Sequence, residues 1–220
     1  MARITALTTQ KRNKDRVNIF LDGEFAFGLA AVAAMNLRTG QELSGAEIAA
    51  LQELDEVEKA KKTALALISR RPRSRVEIER HLRKKHVDDL VIGEVVERLA
   101  AVDLLDDVAF VEYWIDQRET FRPRGRLALR QELMQKGISR TIIEDALENV
   151  DEREAARRAA DKKTRRWEHL PENEFRAKLS RYLQRLGFPY DIIKETTNSS
   201  WQALDEGEAF DDYWPDIEGE

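Results

Sequence analysis

Arginine recurs in this chain at a spacing suited to anion binding. Arg71-Pro72-Arg73-x-Arg75 is followed about fifty residues later by Arg122-Pro123-Arg124-x-Arg126. A guanidinium presents a rigid fork of N–H donors that matches phosphate and carboxylate oxygens in pairs. Alternate arginines just ahead of a helix are therefore suited to nucleic-acid phosphates or to an acidic protein groove. Lys84, Lys85, Arg130 and Lys136 extend the two copies, and a fainter third copy adds Arg181 and Arg185. If the units stack, these residues line up as a basic stripe, the candidate partner- or DNA-binding surface. A solvated helix face can carry the same charges; recurrence at equivalent positions favours contact with a partner.

No constellation of comparable quality supports catalysis. Of the three histidines, His81 and His86 sit in the first copy and His169 lies far away near a proline, and structural roles are the better reading. Asp106-Asp107 could serve as a paired carboxylate, but its place before an apolar helical stretch reads better as a helix cap. There is no Gly-x-x-x-x-Gly-Lys-Ser/Thr loop and no Gly-x-Gly-x-x-Gly after a strand. With no cysteine, disulfides, thiolate metal sites and a cysteine nucleophile are excluded. The expectation is a non-enzyme with no catalytic, cofactor or metal site of its own.

The elements that must position the basic residues are helices. Aligning the two arginine segments also aligns Leu82 with Leu133, Val91 with Ile142 and Ile92 with Ile143; LSRYLQRLGFPYDIIKE keeps Leu179, Leu183, Gly187, Ile192 and Ile193 in step. Ser44 with Glu47 and Ser74 with Glu77 are capping-box signatures, and Asp88 or Asp89, Ser139 and Asp191 mark further starts. The expected helices run from Ser44 towards Ile68 and from about Glu152 to Trp167, with shorter ones between and after. His86, Gly137 and Gly187 occupy equivalent places behind a helix and before an apolar residue, where a left-handed C-terminal cap is required. Strand appears only at the start: Ile4 to Thr9, then Arg16 to Leu21 turning at Asp22-Gly23 into Glu24 to Phe27, with a short helix over Leu29 to Leu37 that stops near Gly40. The fold class is mainly α: three tandem three-helix, helix-turn-helix-like repeats in an elongated curved array behind a small N-terminal β-hairpin. Segments are expected at 1–43 (hairpin and short helix), 44–104, 105–150 and 151–199 (the three repeats) and 200–220 (a flexible acidic tail).

The 220 residues carry a formal charge of -5, with 42% hydrophobic and 36% charged residues. Positions 200–220 hold eight of the acidic residues and no Lys or Arg, leaving 37 basic against 34 acidic in the body. A basic body with an acidic end can bind an anionic partner while the end competes for the same surface. Trp201, Phe210, Tyr213 and Trp214 are unusual in a purely solvating segment and suggest that it docks. No apolar run reaches membrane-spanning length and the start does not read as a signal peptide, so a cytoplasmic monomer without membrane attachment is expected.

The succession RVNIFLDGEFAFGL, LISRRPRSRVEIERHL, LAAVDLLDDVAFVEYWIDQR, RPRGRLALRQELMQKGI and YLQRLGFPYDIIKE resembles the RecX family, bacterial regulators of the RecA recombinase. The resemblance spans most of residues 4–197. It implies three three-helix modules in a curved body that lies in the groove of a RecA filament on DNA. It also implies suppression of RecA's ATPase and strand-exchange activities in DNA repair and the SOS response, the ATP and Mg²⁺ belonging to RecA. The chain departs from the pattern at Leu186, where a basic residue commonly precedes the Gly-Phe pair, and at His86, where glycine is usual. An alternative from the residues alone is a direct DNA-binding protein built from tandem helix-turn-helix-like modules.

Overall fold

The computed structural model describes the backbone of residues 1–211 and side chains through residue 206. Two compact units divide the chain, Met1–Asp106 and Asp107–Glu220. Among the described residues no helix is long and apolar enough to cross a membrane.

The first unit opens with an antiparallel sheet of β1 (Ala2–Thr9), β2 (Arg16–Leu21), β3 (Glu24–Ala30) and β4 (Glu42–Leu43), in the order β3-β2-β1-β4. The β2–β3 hairpin closes at Asp22-Gly23, both at positive φ (51° and 91°), as a tight hairpin turn demands. The expected hairpin is thus part of a larger sheet, because Ala2 and Arg3 also pair with Leu43 and Glu42. Alternation buries Ile4, Ile19, Leu29 and Leu43 completely or nearly so. The helix expected from Leu29 is shorter: Leu29 stays in β3 opposite Val17, and α1 covers only Ala31–Ala34. Burying Leu29 beneath the sheet outweighs its helical tendency.

Behind the sheet, α2 (Gly45–Ile68), α3 (Arg75–Lys84) and α4 (Asp89–Ala100) form the first three-helix module. At the start of α2, Ser44 and Glu47 complete a reciprocal capping box. Ser74 accepts from the Glu77 N–H at α3, and Asp88 accepts from the Leu90 N–H at α4. Val57, Ala60 and Ala64 of α2, Ile78 and Leu82 of α3, and Val91, Ile92, Val95, Val96 and Leu99 of α4 share one core. The sheet is fastened to α2 by Asp55, a buried carboxylate that the apolar pattern does not reveal. Its Oδ1 and Oδ2 accept from both terminal nitrogens of Arg16 (3.1 and 3.0 Å), from the Ala30 N–H (2.7 Å) and from Lys59 (2.6 Å). Burial alone would raise the Asp55 pKa; the bonds from Arg16, Lys59 and Ala30 outweigh it and hold the group below the usual carboxylate value.

The second unit holds two modules. In one, α5 (Asp107–Phe121), α6 (Arg126–Gln135) and α7 (Arg140–Glu148) enclose Phe110, Val111, Leu129, Leu133, Ile138, Ile143, Leu147 and Val150. Asp106 directly precedes α5 and Asp107 begins it, the position of a cap. In the other, α8 (Glu152–Trp167) turns an alanine face (Ala155, Ala156, Ala159, Ala160) to α9 (Glu172–Arg185) and α10 (Tyr190–Asp211). These small side chains let the helices close over Phe175, Leu179 and Leu183. His86, Gly137 and Gly187 adopt φ of 60°, 81° and 84°, the left-handed caps expected behind α3, α6 and α9.

The boundary expected at residue 199 falls inside α10. Trp201 and Leu204 pack on the third module's core, with the Trp201 ring 5.4 Å from Phe175, so this part of the expected tail completes a module. Residues 212–220, with Tyr213 and Trp214, lie outside the described residues, as does the side chain of Phe210.

Candidate functional site

The structure sorts the basic residues into those held by the protein and those left to solvent. Arg71 is held: its two terminal nitrogens grip the Glu77 carboxylate at 3.0 and 2.9 Å and one also donates to the Pro72 carbonyl. Its counterpart Arg122 is exposed and has no side-chain partner among the described residues, because Ala128 stands where the first module has Glu77. Arg75, at the head of α3, reaches Glu97 of α4 at 3.1 Å. Its counterpart Arg126 reaches the equivalent stretch behind α6, donating to the Glu148 and Val150 carbonyls at the end of α7 (3.3 and 2.7 Å). Both arginines tie the second helix of a module to the third.

Arg73 and Arg124 are half-buried, and Arg124 lies 3.7 Å from Glu132. Arg130 makes a two-pronged pair with Glu144, both bonds at 2.7 Å; this hydrogen bonding is the main cause that lowers the Glu144 pKa and raises that of Arg130. Lys136 sits 4.6 Å above the Trp114 ring, whose other cation neighbour is Arg118 at 4.5 Å. Glu132 anchors this group, accepting from the Trp114 indole N–H (2.8 Å) and Arg118 Nε (2.7 Å). Trp114 is therefore not plain core: its ring packs on Phe110 while carrying cations.

Lys84, Lys85 and Arg185 are exposed and, among the described residues, carry no side-chain partner. Arg181 is exposed and spends its Nε on the Ala177 carbonyl one turn back. Arg70 and Lys178, basic residues of the first and third copies outside the stripe, are likewise exposed and unpartnered among the described residues. Lys84 and Arg185 occupy the same place in their modules, the last turn of the second helix, where the helix dipole favours a cation.

Within the second unit, one junction brings two of these segments together. The Gly125 N–H donates to the Leu186 carbonyl at 2.9 Å, so the turn after α9 rests on the start of α6. A Cβ at Gly125 would lie 2.1 Å from the Gly187 carbonyl oxygen, and one at Gly187 would lie 2.7 Å from Ala128 Cβ. Gly125 has an ordinary extended conformation (φ -72°, ψ 159°), so closeness and not backbone freedom requires glycine there. The first module has Ser74 at this position and caps α3 itself. In the second, Glu152 at the head of α8 accepts from the Arg126 N–H (2.7 Å) and caps α6 from the neighbouring module. Arg124 and Arg185, each adjacent in sequence to this hydrogen bond, flank the junction.

The inter-helix carboxylates, Asp55 and the Glu152 cap were missed by sequence reasoning. Single-residue periodicity carries no signal of a partner on another helix; only the Ser74-to-Gly125 exchange between aligned copies hinted at a changed cap.

Family models match 171 of the 220 residues, in four stretches. Residues 2–44 match the regulatory protein RecX N-terminal domain, and 60–99, 106–147 and 151–196 match the first, second and third RecX three-helix domains. The regulatory protein RecX of Bacillus licheniformis is 34% identical over 94% of this chain and 81% of its own length. That of Bacillus subtilis is 35% identical over 88% and 75%, and that of Clostridium botulinum 30% over 91% and 97%. A crystal structure of regulatory protein RecX superimposes with a TM-score of 0.72 at 28% identity, covering 90% of this chain and all of that one. RecX from Lactobacillus salivarius gives 0.56 at 29% identity over 69% and 98%. With all four domains matched in order on a fold of three capped three-helix modules, this chain belongs to the RecX family of regulatory proteins.

Proposed function

We propose that this protein binds RecA, or the RecA filament on DNA, in the cytoplasm and lowers its ATPase and strand-exchange activities. The observation that carries the reading is the split among the cations. Most arginines of the expected stripe serve the modules themselves, which leaves a smaller set exposed and unpaired: Lys84 and Lys85 in the first unit, Arg122 and Arg185 in the second. Cations without carboxylate partners are the ones available to phosphates or to acidic side chains of a partner. Several weak contacts on linked modules gain strength together once one is made.

The test is ssDNA-dependent ATP hydrolysis by the cognate RecA as this protein is titrated in. Inhibition below one molecule per RecA protomer supports the reading, as does its loss in Arg122→Glu/Arg185→Glu. Unchanged RecA turnover at equimolar protein overturns it. If the same preparation then holds DNA tightly without RecA, in a manner that weakens steeply with salt, direct DNA binding by helix-turn-helix-like modules is the better reading.

A further inference from the structure

The second module has a surface of the opposite character. A cleft of about 480 Å³ runs between α5 and α7, and no lysine or arginine is among the residues that line it. Its floor is apolar: Val108 and Ile115 from α5, Ile142 and Ala146 from α7. Val108 is 51% exposed, a large apolar side chain left in water by its own module. The rim is acidic, with Glu112, Asp116 and Glu119 on α5 and Asp145 on α7. Some surface carboxylates of this unit are paired, as Glu132, Glu144 and Glu154 are. Here Glu112, Glu119 and Asp145 have no side-chain partner among the described residues, and Asp116 meets only the neighbouring Gln117 amide at 3.5 Å.

An apolar floor inside uncompensated negative charge selects its occupant. Nucleic acid is repelled, and an acidic or neutral apolar segment leaves the rim unpaired. From Val108 to Glu119 the groove is about 17 Å long at 1.5 Å per residue, or three helical turns. We propose that this groove docks a cationic amphipathic helix of a protein partner. Apolar residues at i, i+3 and i+4 would rest on the Val108–Ala146 floor, with Lys or Arg on either side meeting the rim carboxylates. None of the cations of the basic surface takes part, so the two faces serve separate contacts.

The probe is a fluorescein-labelled 18-residue peptide with leucines at i, i+3, i+4 and i+7 and Lys/Arg elsewhere, titrated with the full chain by anisotropy. A scrambled peptide of equal charge and a charge-reversed peptide are the comparators. Saturable binding by the amphipathic cationic peptide is expected. It should weaken at least about tenfold in Glu112→Lys/Asp145→Lys, whose exposed, unpaired positions leave the fold intact by circular dichroism. Val108→Ser should weaken it by about threefold or more through lost apolar contact. Absence of saturable binding overturns the proposal, as does equal binding of either comparator or undiminished binding by the charge variant. Self-association of the chain through the same residues, seen by sedimentation, would give the groove to a second copy and also overturn it.

Discussion

Gly125→Ala tests the junction between the second and third modules directly. The added Cβ would stand 2.1 Å from the Gly187 carbonyl oxygen, 2.4 Å from its carbon and 2.6 Å from the Phe188 nitrogen. All three are backbone atoms that cannot rotate aside. Restoring a contact of about 3.5 Å requires the turn after α9 to retreat by about 1.4 Å. That retreat breaks the Gly125–Leu186 hydrogen bond and strains the Glu152 cap on Arg126. Overpacking costs about 1–3 kcal/mol and the lost hydrogen bond about 1, so a destabilisation of about 2–4 kcal/mol is expected. All four tryptophans lie beyond residue 106, so their fluorescence reports the second unit selectively. With a urea dependence of about 1–3 kcal/mol per molar, the midpoint should fall by about 0.7 M or more. Gly93→Ala in α4, followed by circular dichroism because the first unit holds no tryptophan, is the control, since its Cβ would meet nothing within 4 Å and alanine favours a helix. A Gly125→Ala midpoint equal to wild type would refute the reasoning.

Three further outcomes are expected. Asp55→Asn should loosen the sheet from α2 by about 2–4 kcal/mol at neutral pH, less than a fully buried pair because Lys59 is half-exposed, and speed hydrogen exchange at the Ala30 amide. Because the folded Asp55 pKa lies below the ordinary 3.8, its contribution is present above that value and is lost as pH falls through the folded pKa; wild type and Asp55→Asn should therefore converge in acid, and a gap that persists there would count against the clamp. Leu133→Ala, at a fully buried position, should cost about 2–5 kcal/mol in urea unfolding. Arg130→Glu should lower stability through repulsion by Glu144, whereas Arg122→Glu should leave unfolding unchanged and act only on RecA inhibition; equal effects of the two on stability would undo the division between held and free arginines.

What was legible in the sequence is what depends on neighbours along the chain. Ser44, Ser74, Asp88 and Ser139 cap the helices they precede, and α2 and α8 end where their patterns stop. Positive φ at His86 followed from its alignment with Gly137 and Gly187. The basic surface was only half legible, because an arginine held by its module and one left free look the same in sequence. Arg71 and Arg122 share the motif Arg-Pro-Arg, and a single exchange six residues on, Glu77 for Ala128, decides which of them is engaged. The acidic end was legible in part: Trp201 stood out as an aromatic that docks, but its place in α10 beside Leu204 did not. Trp201 and Leu204 extend the apolar face of α10 within a strongly charged stretch, and average composition masked that face.

The two ways of capping the second helix set different timetables for synthesis. Once Ser74 has left the ribosome, α3 has its cap within its own module. The start of α6 waits for Glu152, and the junction at Gly125 closes only with Leu186, about sixty residues later, or roughly 3–12 s at 5–20 residues per second. The first module can therefore settle while the chain is still growing. The second and third each have a core of their own, but the cap on α6 and the contact at Gly125 are completed only once the third module has emerged.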